Sequence, residues 1–319
     1  MESTHDLILP IVDEENICLP LAVNVVSKYW NVDLSISEAK EIAKKYPNVN
    51  GSILIEGIEL AERHGLSTLV LRSNISELKK MIDMGIPPIV ILPGIHETIQ
   101  HASVISGYDD DEKTIIHYIP QTDKEGSFQM GVIPEKKFNE LWSEDGNLTI
   151  IIAPTDIISE LKSVNEKNNK SNKLCFNSER LNLSNKKPEA INSLKKAIEL
   201  DPKNSTAYSL LGSILNESNS KECESYYKKS IEINNRNFLA YRGLGNFYLK
   251  TKQYQLAEKF YTKAIEINPY RNGPIYKNRG IVRLEQDKKN DAKKDLENYL
   301  THTPHAKDKK SIQQAIAEL

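Results

Sequence analysis

The hydrophobic and polar positions follow two different patterns in the first half of the chain. Up to about residue 85 apolar residues recur at helical spacing, and from there to residue 152 they form short runs typical of strands. The helical segments are Leu19–Trp30, Ser37–Tyr46, Ile53–Arg63 and Ile75–Met84, and the strand-like runs are Ile86–Leu92, Ala102–Gly107, Thr114–Ile119 and Leu148–Ile152. Helices first and a sheet later predict an α+β domain over residues 1–155.

The second half of the chain repeats itself at a period of 33 to 35 residues. Four helix ends recur, and a small residue precedes each of them by 12 positions. The ends fall at Pro202, Asn235, Pro269 and Pro304; the small residues are Ala190, Cys223, Ala257 and Ala292; three glycines, Gly212, Gly245 and Gly280, each follow a tyrosine by four. A period of this length predicts stacked helix pairs, because one pair alone cannot bury its apolar face.

This pattern resembles the tetratricopeptide repeat, which Phe238 to Pro269 matches almost throughout. The resemblance implies an all-α solenoid of about four repeats over residues 173–304 and a capping helix over residues 305–319. It also implies that Tyr241, Gly245 and Ala257 are buried at one helix–helix contact, where small residues let the helices approach. Residues 156–172, rich in Asn and Lys, are expected to be a linker.

The repeats imply a protein or peptide partner, since members of the family bind polypeptides on a concave face lined by first helices. On this sequence Arg242 and Asn246 lie one turn apart on a first helix, and Asn278 lies on the next one. The resemblance implies that these three residues bind a peptide carboxylate and its backbone. Ordinary solvated polar residues are the alternative interpretation.

A cysteine and a histidine carry the chemistry predicted for the N-terminal domain. Cys18 stands at the start of the first predicted helix, where unpaired N–H groups stabilise a thiolate, and His101 opens a predicted strand. An early cysteine with a later histidine is the chain order of papain-like enzymes. We therefore expect His101 to lie within hydrogen-bond reach of Cys18, as the base that activates a nucleophilic thiol.

The residues around this pair resemble the bacteriocin-processing (double-glycine) cysteine peptidases and their relatives. Cys18-Leu-Pro-Leu-Ala22 and His101-Ala-Ser-Val-Ile-Ser-Gly-Tyr108 correspond to the two motifs of that family, and the similarity spans about residues 7 to 142. The resemblance implies a papain-like fold for the α+β domain and cysteine-peptidase activity with Cys18 and His101 as catalytic residues.

The chain departs from this family at the two positions that assist the pair. Ile119 stands where the family has the aspartate that orients the histidine, and Asp13 stands where it has the glutamine of the oxyanion hole. A carboxylate repels a developing oxyanion, so Asn16 is the second candidate for that role, and Gln121 for the orienting role. The domain is thus a cysteine peptidase, a degenerate peptidase that binds peptides, or a fold in which both residues are structural.

The composition is typical of a globular protein and does not indicate a ligand. Hydrophobic residues make up 39% and charged residues 27%, no apolar run reaches the ~18 residues of a membrane span, and the first six residues include two acids. Three scattered cysteines predict neither a disulfide framework nor a metal site. We expect a cytoplasmic protein with no cofactor, no metal, no membrane association and no nucleic-acid partner.

Charge is distributed unevenly between the two halves. Residues 1–155 hold 24 acidic and 12 basic residues, and the remainder holds 20 acidic and 30 basic residues. The halves are expected to attract each other, or the second half to favour acidic partners. The function predicted from the sequence is a cysteine-peptidase-like protein whose repeats recruit polypeptides; the alternative is a non-catalytic adaptor.

Overall fold

The structure, a computed structural model, describes residues 4–10, 19–46, 53–93, 100–122, 128–271 and 273–319. The described residues fall into two compact units. The first ends at Ala207 and the second contains Tyr208–Leu319. The first unit holds an antiparallel sheet with its helices, and the second is helical, so the predicted α+β domain followed by a repeat solenoid is confirmed.

The sheet of the first unit has seven described strands. They are β1 (Thr4–Asp6), β2 (Ser67–Arg72), β3 (Ile89–Pro93), β4 (Gln100–Asp109), β5 (Thr114–Thr122), β6 (Phe128–Pro134) and β7 (Leu148–Ala153). Their order is β2-β7-β3-β4-β5-β6, with β1 beside β4. The pairing of β4 with β5 sets Ile105 opposite His117, and a bulge then shifts the register so that Gly107 faces Ile116.

Five helices of the first unit precede its long last helices, and all of them but α2 contact the sheet. They are α1 (Leu19–Tyr29), α2 (Ile36–Lys44), α3 (Leu54–Arg63), α4 (Ile75–Asp83) and α5 (Glu135–Trp142). A capping box starts α4: the Asn74 side chain accepts from the Glu77 N–H, and the Glu77 carboxylate accepts from the Asn74 N–H. The sequence pattern found α1 to α4 but missed β1, β2, β6 and α5.

The long helix α6 (Thr155–Leu183) closes the open edge of this sheet. Residues 156–172, for which the polar composition predicts a linker, lie within this helix. The Val70 N–H donates to Asn169 Oδ1 at 2.9 Å, and Asn172 Nδ2 donates to the Val70 carbonyl at 2.9 Å. Because β2 is the outermost strand, these outward-facing backbone groups have no neighbouring strand to pair with. Asparagine side chains of α6 take the place of that strand.

Ion pairs add to the contact between α3 and α6. The Arg180 guanidinium lies 2.7 Å from the Glu59 carboxylate, and Lys173 Nζ lies 2.7 Å from Glu62 Oε1. Each pair joins an acidic residue of the first 155 to a basic residue that follows them. Some of the excess acidic residues of the first half therefore form ion pairs, inside the first unit, with basic residues of the second half.

Helices α6 to α13 form four successive helix pairs, and a last helix follows them. After α6 come α7 (Lys187–Leu200), α8 (Ser205–Glu217), α9 (Cys223–Ile233), α10 (Phe238–Lys250), α11 (Tyr254–Ile267), α12 (Gly273–Leu284), α13 (Lys289–His302) and α14 (Lys309–Ala317). Ala190, Cys223, Ala257 and Ala292 are fully buried, as small residues between paired helices. Burial raises the pKa of the Cys223 thiol to about 11, which fits its predicted packing role.

Gly245 packs against an aromatic ring, whereas the sequence predicts a close approach of two helices at this glycine. Gly245 and Ala257 are buried, whereas Tyr241 is only partly buried. A Cβ on Gly245 would lie 2.5 Å from the Tyr261 ring, so an aromatic side chain rather than a helix backbone occupies this space. At Gly280 the expected approach of backbones does occur, because a Cβ there would lie 3.4 Å from the Ala292 carbonyl oxygen.

Candidate functional site

The candidate catalytic histidine lies on the second residue of β4. His101 is partly buried, and burial lowers the pKa of its imidazole. The neutral form can accept a proton, but a lowered pKa disfavours the imidazolium that would stabilise a thiolate. Cys18, Asp13 and Asn16 lie outside the described residues, so the pairing of Cys18 with His101 stays a prediction.

A second histidine accompanies His101 on the neighbouring strand. Ser103 Oγ lies 3.1 Å from His117 Nδ1, and the pKa of His117 is lowered by burial and by the charge on His101. The side chains at 119 and 121 lie outside those described. Sequence reasoning missed His117, although the alternation of side chains along a strand was a signal that could have found it.

The Gly-Tyr sequence that follows the histidine has a structural role. A Cβ on Gly107 would collide with Asp6 and with the His5 backbone, so only glycine lets β1 lie so close to β4. The Tyr108 hydroxyl donates to Asp83 Oδ1 at 2.8 Å, and the His5 ring stacks on Tyr108 at 4.5 Å. Burial raises the pKa of Tyr108 to about 12. These contacts hold the N-terminal strand against the sheet.

Leu19, which replaces the glycine after the family's cysteine, packs into the interior of the domain. Its exposure is 2%, and a Cβ on Gly57 would lie 2.9 Å from Leu19 Cδ2. The leucine is therefore a contact between α1 and α3. Its buried side chain does not extend into solvent, where it would crowd a substrate.

In the second unit, two of the three predicted peptide-binding residues contact each other. The Tyr261 hydroxyl donates to Asn246 Oδ1 at 2.7 Å, and Asn278 Nδ2 donates to the same oxygen at 3.4 Å. Arg242 lies one turn before Asn246 on α10 and is partly buried. Its pKa is lowered by burial and by the neighbouring charge of Arg271.

Two buried tyrosines from second helices take part in this region, and sequence reasoning missed them. The ring of Tyr227 of α9 packs against two glycines. A Cβ on Gly243 would collide with this ring, and a Cβ on Gly212 would lie 2.9 Å from it. Tyr261 of α11 lies against Gly245 in the same way. The glycines let each ring reach the residues of the first helices. The 34-residue spacing of Tyr227 and Tyr261 was the sequence signal.

Glu179 of α6 is an ionisable residue that belongs to neither candidate site. The pKa of Glu179 is raised to about 7, first by burial and then by the charge of Asp145. Burial also raises the pKa of the Cys175 thiol, one turn earlier on the same helix. Cys175 is thus an unreactive thiol in the interior of the first unit, in contrast to the role predicted for Cys18.

Known families match both parts of the chain. Residues 3–150 match the Peptidase_C39 like family, and residues 180–217 and 238–270 match tetratricopeptide repeats, so the architecture recognised from the sequence is confirmed.

No curated protein matches the chain. No helix in the described part of the chain is long and apolar enough to span a membrane.

Similar solved structures cover about half of the chain. One is described as PilF of Pseudomonas aeruginosa, with 21% identity over 48% of this chain and 68% of that one, and a TM-score of 0.43. Another is MamA, with 24% identity over 45% of this chain and 83% of that one, and a TM-score of 0.39.

Proposed function

We propose that this protein, a Peptidase_C39-like domain followed by tetratricopeptide repeats, is a scaffold that binds a polypeptide through its repeats. The observation that carries the proposal is the network of Asn246, Asn278 and Tyr261. It joins α10, α11 and α12 through hydrogen bonds to one amide oxygen. Such a network fixes both amide groups, which makes them rigid partners for a peptide backbone.

Amides suit this role because each carries both a donor and an acceptor, as a peptide backbone does. A second-helix tyrosine anchors them, so little side-chain freedom is lost when a ligand binds. Arg242, one turn away, adds a charged donor to the same set.

We expect the protein to act in the cytoplasm, because the buried Cys175 and Cys223 are both free thiols.

Selection of peptides from a random library on the full chain tests this proposal. We expect an enriched set of peptides on the wild type, and loss of that enrichment when Asn246 and Asn278 are both replaced by alanine. Asn298→Ala is the matched control, since Asn298 is exposed on α13. Equal enrichment on all three proteins would contradict binding through these residues.

A second candidate function is peptide-bond cleavage by the N-terminal domain. The placement of His101 on a strand of the Peptidase_C39-like domain favours it. In that reaction the Cys18 thiol would give its proton to His101 and attack the carbonyl carbon, and the amine would leave with that proton. A water molecule would then hydrolyse the thioester, which releases the carboxylic acid and restores the Cys18 thiol. The lowered pKa of His101 and the isoleucine at position 119 argue for weak turnover. A binding domain derived from a peptidase is the alternative.

A further inference from the structure

Residues 4–10 form a strap that runs along β4. The strand β1 pairs antiparallel with the last residues of β4, and the Leu7 N–H then donates to the Ser106 carbonyl at 2.7 Å. Because the pairing is antiparallel, the strap runs from the end of β4 towards its start, where His101 lies. The strap therefore leads the chain that follows it towards the candidate catalytic histidine.

The first anchor of the strap is a set of side-chain contacts at β1. His5 Nδ1 lies 2.9 Å from Asp83 Oδ1, the oxygen that also accepts from the Tyr108 hydroxyl. The Thr4 hydroxyl donates to Asp109 Oδ2 at 2.6 Å. The side chains of the His5–Asp83 pair are both exposed, so this pair contributes little stability by itself. A three-residue strand with such contacts is a weak anchor.

Tyr118 of β5 is the second anchor. Its hydroxyl donates to the Pro10 carbonyl at 3.3 Å, and its side chain is buried. His117 lies opposite Ile105 on β4, and Tyr118 is the next residue along β5. Since the two strands are antiparallel, this step along β5 leads towards His101. Tyr118 thus holds the end of the strap at a level of β4 closer to His101 than β1 is.

The chain between the strap and α1 carries the thiol of the second candidate function. Cys18 follows Pro10 by eight positions and immediately precedes Leu19. The Leu19 side chain is buried against α3, so this end of the segment is fixed as well. Residues 11–18 lie outside the described residues, but both of their neighbours are held by the fold. A displacement of Pro10 is therefore expected to change the position of the thiol relative to His101.

We propose that Tyr118 is a positioning residue for the pair of Cys18 and His101, and that it acts by holding the strap in register on β4. The proposal rests on the second candidate function, cleavage by the N-terminal domain. Attack on a carbonyl needs one geometry of the reacting groups, and a displacement of about 1 Å can cost ~10² in rate. Because Ile119 replaces the aspartate that orients the histidine in the family, the pair depends more on the contacts that hold the strap.

Alkylation of Cys18 by iodoacetamide at pH 6, followed on its peptide by mass spectrometry, tests this role in the full chain. Tyr118→Phe removes only the hydroxyl, and we expect it to slow alkylation by about threefold, in line with the loss of one hydrogen bond. Tyr276→Phe is the matched control. It removes a hydroxyl that donates to the Pro269 carbonyl at 3.0 Å in the second unit, and it should leave the rate unchanged.

The same substitution in a His101→Ala background separates positioning from a structural role. A residue that acts through His101 has no effect once the imidazole is absent, so Tyr118→Phe should slow Cys18 only where His101 is present. Equal slowing in both backgrounds would overturn the inference, because the role of Tyr118 would then be independent of His101. An unchanged rate in Tyr118→Phe, beside a slower rate in His101→Ala, would overturn it as well.

Two further measurements keep the outcomes distinct. The amides of residues 4–10 should exchange faster in Tyr118→Phe, because the strap loses an anchor, and unchanged exchange would contradict the inference. Cys175 is buried in the same unit and should stay unlabelled; its labelling would mean that the variant loosens the whole domain, which also contradicts the inference. If His101→Ala leaves the Cys18 rate unchanged, the candidate cleavage function is wrong and the inference fails with it.

Discussion

Asn169→Ala tests whether the asparagines of α6 substitute for a missing strand. Asn169 is buried, and its Oδ1 is the acceptor for the N–H of Val70, a fully buried residue of the edge strand β2. Alanine fits the helix but leaves that N–H without an acceptor. The variant thus removes one hydrogen bond without opening the core, because the Asn172 amide still donates to the Val70 carbonyl.

The expected cost follows from two opposing contributions. A buried donor left without a partner costs roughly 1–3 kcal/mol, whereas alanine favours the helix over asparagine by roughly 0.5 kcal/mol. The net loss in the free energy of unfolding is therefore about 0.5–2.5 kcal/mol. Asn172→Ala should cost more, since that side chain also accepts from Asn204 Nδ2 at 2.9 Å.

Hydrogen exchange of the full chain measures the effect where it arises. The amides of β2 should lose protection in Asn169→Ala, by about the factor that the net free-energy loss predicts. Lys167→Ala is the matched control, because Lys167 is exposed on the same helix two residues earlier. Unchanged protection of β2 in Asn169→Ala, or equal loss in Lys167→Ala, would refute the view that α6 completes the sheet.

Three further predictions concern packing, pH dependence and thiol chemistry. Gly245→Leu should destabilise the second unit by ~1–3 kcal/mol in denaturant titrations, because its side chain would collide with Tyr261; an unchanged midpoint would contradict this packing. Because the folded-state pKa of Glu179 is raised from 4.5 to about 7, its ionisation costs stability as pH rises through that window. Glu179→Gln should therefore raise the melting temperature at pH 8, which corresponds to a gain of up to about 3 kcal/mol in the free energy of unfolding, and leave it unchanged near pH 4. Equal shifts of the melting temperature at both pH values would disprove the reasoning. Cys18 should react with iodoacetamide faster than the buried cysteines below neutral pH, and His101→Ala should slow it by roughly tenfold; an equal rate would mean that no dyad exists.

The sequence by itself determined the two-part architecture. The period of 33 to 35 residues recovers the repeats, since each pair must bury small residues at the same positions. Apolar periodicity likewise located α1 to α4, because amphipathic helices show their buried face in the spacing of apolar residues. The placement of a histidine at the start of β4 followed from the same kind of local pattern.

Only the tertiary structure decided which polar residues act together. Asn169 and Asn172 look like linker residues in the sequence, yet they pair with the edge of a strand about 100 positions away. The pairing of β4 with β5 brings His117 to Ser103, on the strand that carries His101, and Tyr261 reaches Asn246 past a glycine. Apolar residues reveal burial by their period, but a hydrogen bond between distant residues leaves no period in the sequence. It depends on which elements lie side by side, and that is fixed by the packing of the whole unit.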